Sequence, residues 1–231
     1  GDMVIFLPYI EAISKYFNTP ISLLVKENTK SLEFLSNNSS INKIITLERD
    51  DKKKIGRHYG LNGILNLASD IKKHNFDKVF IFNSSFRYAL IAKLARIKNI
   101  YQYALFDKKN QNIIETAKLF IKKTINVEVE NNPIISINSN EVIQAQNKYK
   151  ISNEDINILL GVGGSGPTKR VSPEKFLEFI KLCNDKLRCK FFLAAGANEI
   201  EEKIVNQILN SEFKNKCVTL NKLKISETLP I

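Results

Sequence analysis

The sequence has no tryptophan, two histidines and three cysteines among 231 residues, and each scarcity excludes something. His58 and His74 are too few for a His-rich metal site. His74 ends a helical pattern and reads as a last-turn cap. Cys183, Cys189 and Cys217 are odd in number and match no zinc spacing. They read as free thiols of a reducing compartment, not as a disulfide framework. No uninterrupted apolar run reaches the roughly 18 residues of a membrane span, so no transmembrane helix is expected. The opening GDMVIFLPYIEAI carries an acid where a secretory leader needs basic residues, so no signal peptide is expected.

What is present is an ordinary hydrophobic fraction of 43% and a net charge of +11. Nucleic acid, an anionic membrane surface or a phosphorylated substrate could each call for that charge. The lysine runs Lys52–Lys54 and Lys108–Lys109 read first as solvated faces or loops. No basic stripe interleaved with aromatics is visible, which argues against a nucleic-acid-binding protein.

Short apolar segments alternate with amphipathic stretches. Strands are expected at Ile21–Val25, Lys43–Leu47, Lys78–Phe82, Asn99–Tyr103, Ile134–Ile137, Asn157–Leu160, Lys190–Ala194 and Cys217–Leu220. Helical stripes run through Val4, Leu7, Ile10, Ile13 and Phe17. Others run through Ile64, Leu65, Leu67, Ala68 and Ile71, and through Leu90, Ile91, Leu94 and Ile97. The alternation predicts parallel α/β layers. Pro8 should kink the first helix or disturb its first turns. A composition break near Asn126–Asn140 predicts two α/β domains, residues 1–138 and 139–231, with a hinge near 131–155.

Four local features could carry chemistry. In ILLGVGGSGPTKRVSPEKFLEFI, residues 158–180, an apolar strand meets Gly161, Gly163, Gly164 and Gly166. Then come Ser165, Thr168, Lys169 and Arg170 and a helix opened by Ser172-Pro173. Glycines let backbone amides approach an anion, the helix N-terminus adds partial positive charge, and Lys169 a full one. This is no P-loop, because no Gly-Lys-Ser/Thr follows. Nor is it a dinucleotide fingerprint, because no acid follows about 20 residues on. An unliganded connection is the bland alternative. Asp2 could be a general base or a plain N-cap. Glu199, in AAGANEIEEKI after an apolar strand, could hold a ribose or merely complement the helix dipole. Asn83 and Arg87, in FNSSFR, could face a cleft and a phosphate, or cap a helix.

In order, these segments resemble the ADP-heptose:lipopolysaccharide heptosyltransferase family, glycosyltransferase family 9. GDMVIFLPYIEAISKYFNTPISLLV is similar to its opening, where Gly-Asp follows a first strand. FDKVFIFNSSFRYALIAKLARIKNIYQY is similar to its middle section. GVGGSGPTKRVSPEKF resembles its glycine–Lys–Arg–Trp–Pro segment, and AAGANEIEEKI its Gly-Gly-Pro-x-Glu segment. The likeness spans nearly the whole chain.

The resemblance implies a GT-B fold: two Rossmann-like domains with parallel sheets facing across a cleft. It implies inverting transfer of a heptose from ADP-heptose to a lipopolysaccharide core or other glycolipid acceptor, with no metal or other cofactor. It places the protein in the cytoplasm, peripheral to the inner face of the inner membrane. Asp2 matches the base, Lys169 the diphosphate-binding lysine and Glu199 the ribose-associated acid. Thr168 lies where a hydroxyl can meet a phosphate. Gly163, Gly164 and Ser165 fall in the donor loop, and Asn83 and Arg87 on the acceptor side. Three departures stand out. Val171-Ser172 replaces the family's Trp-Pro, which leaves another nucleotide sugar open. The first strand and the family's Asp-x-Gly-x-x-His segment are both lacking, so truncation at both ends is expected.

Overall fold

The computed structural model describes residues 2–104, 112–152, 154–164, 169–196 and 198–231, Asp2 through its backbone only. The chain divides into two compact units, Gly1–Ser136 and Ile137–Ile231.

In the first unit, helix α1 (Asp2–Phe17) leads through three residues into strand β1 (Ile21–Lys26). Helix α2 (Ser31–Leu35) precedes β2 (Ile41–Leu47), and α3 (Gly60–Lys72) precedes β3 (Lys78–Ile81). Then follow α4 (Phe86–Leu94), β4 (Asn99–Gln102) and α5 (Ile113–Ile125). β1 pairs in parallel with β2, and β3 in parallel with β4, as two separate two-stranded sheets. Successive strand residues point to opposite faces. Leu23, Ile21 and Val25 therefore pack against Leu7 and Ile10 of α1, while Leu24 packs with Leu67 and Ile91 of α3 and α4. Helices α1 and α5 meet through Tyr9, Ile13, Ala117 and Ile121. The Tyr9 hydroxyl donates to the Ile114 carbonyl at 3.1 Å.

In the second unit, α6 (Ser139–Tyr149) precedes β5 (Ile156–Gly161), α7 (Pro173–Asn184), β6 (Cys189–Ala194) and α8 (Glu199–Leu209). β7 (Cys217–Thr219) and the short α9 (Ile225–Thr228) follow. β5, β6 and β7 form one parallel sheet in that order, with Leu160 opposite Leu193. Its core joins Phe191 and Leu193 of β6 to Ile180 of α7 and Val205 and Ile208 of α8, all fully buried. Each such side chain is worth about 1.5–3 kcal/mol relative to exposure. Cys189 and Cys217 pack in or against this core, and burial pushes both thiols up, that of Cys217 to about 11. All three cysteines are free.

The structure departs from the sequence expectations in four places. Residues 134–137 form no strand: Ile135 packs on the α1–β1 core, but Ile134 and Ile137 are exposed. Pro133, just before them, has no amide to donate to a ladder. Helix α1 runs through Pro8 without a break. The lost bond costs about 3 kcal/mol, which burial of Leu7, Tyr9, Ile10 and Ile13 on the same helix outweighs. Leu65 leaves the expected α3 stripe for solvent, since the buried face is set by Gly63, Leu67 and Ala68. His74 lies beyond α3 and stacks on Phe76, with ring centroids 5.4 Å apart. Lys52–Lys54 are exposed in a turn held by Asp50, which accepts the amides of Lys52 and Lys53. Lys108 and Lys109 lie outside the described residues.

Candidate functional site

The site in the second unit is built where parallel strands end. β5 stops at Gly161, and the Val162 amide still bonds the Ala194 carbonyl at the end of β6. The chain then turns through Gly163 and Gly164, and both glycines are required by close approach. A Cβ on Gly163 would stand 2.7 Å from the Glu201 carboxylate. A Cβ on Gly164 would stand 2.8 Å from the Lys169 carbonyl. The loop is therefore pinched shut at its base, with Lys169 exposed beside the pinch. Arg170 seals it by donating Nε–H to the Gly164 carbonyl at 3.1 Å. The chain re-enters regular structure at Ser172 and Pro173, the N-cap and first turn of α7. Ser172 makes no side-chain bond to the helix backbone. Instead the Ser172 hydroxyl and the Glu174 amide hold the Glu174 carboxyl below its usual range.

A residue that sequence reasoning passed over organises this loop. Glu201 is 4% exposed. Its carboxylate accepts the Gly164 amide at 3.2 Å and the Gly196 amide at 2.5 Å, tying the turn after β5 to the turn after β6. Burial alone would raise its pKa. The Asn198 side chain, the Gly196 and Gly164 amides and the Arg170 charge outweigh that and hold it below the usual carboxylate range. The signal was in the sequence: Asn198-x-x-Glu201 has the spacing of a capping box. Asn198 does cap α8, accepting the Glu201 amide at 3.0 Å. Glu201 does not reach back to the cap, as that motif would have it, but across to the glycine turn. Glu199 sits two residues earlier on α8 and is exposed.

In the first unit, Asn83 and Arg87 follow the end of β3. Asn83 accepts the Ser85 amide at 2.8 Å, and its carbonyl accepts from Gln102. Arg87 is turned inward: its terminal nitrogens donate to the carbonyls of His58 (2.6 Å) and Gly60 (2.8 Å). It ties α4 to the connection before α3. Burial, with Arg49 nearby, lowers its pKa. His58 is 3% exposed in the same connection. Its Nδ1 accepts the Glu48 amide, so the ring proton sits on Nε2, facing Asp70 at 3.2 Å. Arg57 grips Asp70 with two bonds of 3.0 Å and Lys73 adds a third, which holds the Asp70 carboxyl far below its usual range.

Asp2 opens α1, with its side chain outside the described residues. Ser165 and Thr168 also lie outside them. Among the described residues, no helix is long and apolar enough to cross a membrane.

The two parallel α/β units have the fold class of GT-B glycosyltransferases, as the solved structures they resemble show. Within that class, the chain shares its fold with the ADP-heptose LPS heptosyltransferase II of E. coli. The TM-score is 0.71 at 18% identity, over 100% of this chain and 72% of that one. A glycosyl transferase family 9 protein of Veillonella parvula matches with a TM-score of 0.76 at 18% identity, over 98% of this chain and 68% of that one. The resemblance read from the motifs is borne out at the level of fold. No protein-family model matches the chain, and no curated protein matches it in sequence.

Proposed function

We propose that the protein is a glycosyltransferase that moves a heptose from ADP-heptose to a lipopolysaccharide core or similar glycolipid acceptor, with inversion and without a metal cofactor. The observation that carries this reading is the pinched glycine turn after β5, with Lys169 exposed beside it and the first turn of α7 just beyond. A positive side chain and a helix N-terminus together suit a departing diphosphate. The Gly164 amide is taken by Glu201, so Gly163 and Gly164 serve to shape the approach and Lys169 meets the charge. Ser165 and Thr168 lie between Gly164 and Lys169 in sequence and are the candidate hydroxyls for the phosphates, and Glu199 is the candidate for the ribose hydroxyls.

In this reading residues 139–231 bind the donor and residues 1–138 the acceptor. Asp2 takes the acceptor hydroxyl's proton as that oxygen attacks the anomeric carbon. The bond from that carbon to the diphosphate oxygen breaks, and ADP leaves. Asn83 is a better acceptor contact than Arg87, whose terminal nitrogens already hold two carbonyls. The protein would work in the cytoplasm, at the surface of the inner membrane.

Asp2→Asn should lower kcat by about 10²- to 10⁴-fold with donor affinity retained; near-normal turnover refutes the assigned base. Lys169→Ala should weaken ADP-heptose binding in calorimetry by about 10- to 100-fold; unchanged affinity removes Lys169 from the donor site. A second reading, another nucleotide sugar, is favoured by the exposed Val171 in place of the tryptophan of the family resembled. Titrating GDP- and UDP-sugars beside ADP-heptose separates the two.

A further inference from the structure

Four large apolar side chains of the first unit stand in solvent along one rim. Ile55, Leu61, Leu65 and Phe86 are each more than half exposed, Leu61 by 81%. A lone exposed leucine is ordinary, but a cluster marks an interaction surface. The rim is continuous because α3 and α4 lie side by side and run the same way. At their starts, Arg87 of α4 donates to the Gly60 carbonyl of α3 at 2.8 Å. At their ends, Ile71 of α3 packs on the cluster of Ala92, Ala95 and Ile97. Leu61 follows Gly60 and Phe86 precedes Arg87, so the two first turns bring both to one edge. Leu65 lies one helical turn beyond Leu61 on the same face. Ile55 reaches that edge through a tight connection, in which the Tyr59 amide bonds the Gly56 carbonyl and the His58 amide the Glu48 carbonyl.

The same rim carries free positive charge. Lys52, Lys53 and Lys54 are exposed just before Ile55, and none of their ammonium groups forms a salt bridge among the described residues. The neighbouring acids are engaged: Asp50 accepts the amides of Lys52 and Lys53, and Asp51 pairs with Lys26 and Arg49. From Arg57 to Ala104, eight Lys and Arg stand against two Asp. Apolar side chains beside free cations suit a bilayer of anionic lipids, whose interface takes the first and whose phosphates take the second. Nucleic acid would use the cations and leave the leucines in water. Helix α5, which packs on α1 and not on α3 and α4, offers a contrast. Its exposed Leu119 sits between Lys118 and Lys122, which are paired with Glu115 and Glu128.

Resting on the reading of the acceptor as a glycolipid, we propose that this rim docks on an anionic membrane. Ile55, Leu61, Leu65 and Phe86 enter the zone between headgroups and acyl chains, and Lys52–Lys54 meet lipid phosphates. Asn83, the acceptor contact of that reading, lies three residues before Phe86, so docking brings it to the headgroup layer where a lipid-borne acceptor is held.

The chain holds no tryptophan, so Leu61→Trp places a single reporter in the rim and Leu119→Trp one outside it. With vesicles containing anionic phosphatidylglycerol, the Leu61→Trp emission should shift to the blue and be quenched by lipids brominated in their acyl chains. Leu119→Trp should show neither. In co-sedimentation at low salt, Leu61→Ser with Leu65→Ser should lower vesicle binding at least about tenfold. Lys52→Ser, Lys53→Ser and Lys54→Ser together should lower it about a hundredfold, roughly fivefold for each lysine. Thermal midpoints should stay within about two degrees of the parent, since every altered side chain is exposed. Unshifted Leu61→Trp emission, an equal response from Leu119→Trp, or parent-like binding by the leucine variant overturns the docking surface. So does a doubled mass of the parent chain that the leucine variant reverts, which would put a second copy on the rim. Turnover with a lipid-free acceptor fragment keeps the two readings apart. It should be unchanged in the leucine and lysine variants. Turnover in a parent chain that ignores anionic vesicles refutes the docking alone, whereas vesicle binding through the rim without turnover supports the docking and refutes the transferase.

Discussion

Glu201 sets the shape of a loop 37 residues earlier in the chain, because its carboxylate is the acceptor for the Gly164 amide. Removing it takes a charged acceptor from the Gly164 and Gly196 amides, and hydrogen bonds to charged groups are worth about 1.5–3 kcal/mol. Glu201→Ala should lower urea-unfolding stability by that amount and weaken donor binding. The pH dependence has a definite sign. The folded carboxyl titrates below its unfolded value of about 4.3, so its contribution is complete above that pH and is lost as pH falls through the folded value. Glu201→Gln should flatten this part of the acid limb, as read by midpoints between pH 3 and 6. Asp70, also depressed, adds to the same limb from the first unit. At this scale the sequence marked Lys169 and the glycines by type and order. It could not rank Glu199 against Glu201, because which acid turns inward depends on α8's rotation against the sheet.

Helix and strand positions were largely written in local pattern. Seven of the eight expected strand segments overlap β1 to β7, and residues 134–137 form none, since local pattern does not say whether a segment finds a partner strand. Helix ends are less obvious, since glycine is scarce and other residues take the left-handed conformation that closes them. Asn126 caps α5 at φ 56° and Lys150 caps α6 at φ 50°. Asparagine tolerates that region, whereas lysine carries a strain of about 1–2 kcal/mol there. Glycine removes the strain but loses about 0.5–1 kcal/mol of chain entropy. Lys150→Gly should therefore stabilise the protein by about 0.5–1 kcal/mol, a midpoint rise of a few degrees in calorimetry. Arg87 shows the opposite limit. Its place after a strand suggested a ligand, but the helix presents it to two carbonyls that only the folded connection brings near.

For the whole molecule, the net charge of +11 bears directly on the proposed membrane-surface setting. Attraction to an anionic bilayer should be screened by salt, with a Debye length of about 10 Å at 0.1 M and 3 Å at 1 M. Co-sedimentation with vesicles containing anionic phosphatidylglycerol should be strong at low salt and largely lost near 1 M, with little binding to neutral vesicles at either. Salt-independent binding to both would point to apolar insertion instead. The charge was readable from composition, but the partner it serves was not.

By itself the sequence determined the α/β class, the parallel strands and the residue types that follow β5, because periodicity, glycine spacing and helix-opening residues act over a few neighbours. Only the tertiary structure decided that Glu201 grips the glycine turn and that Arg87 faces inward. Those outcomes depend on which distant segments share a wall, and burial and backbone pairing choose among them only once the layers have packed.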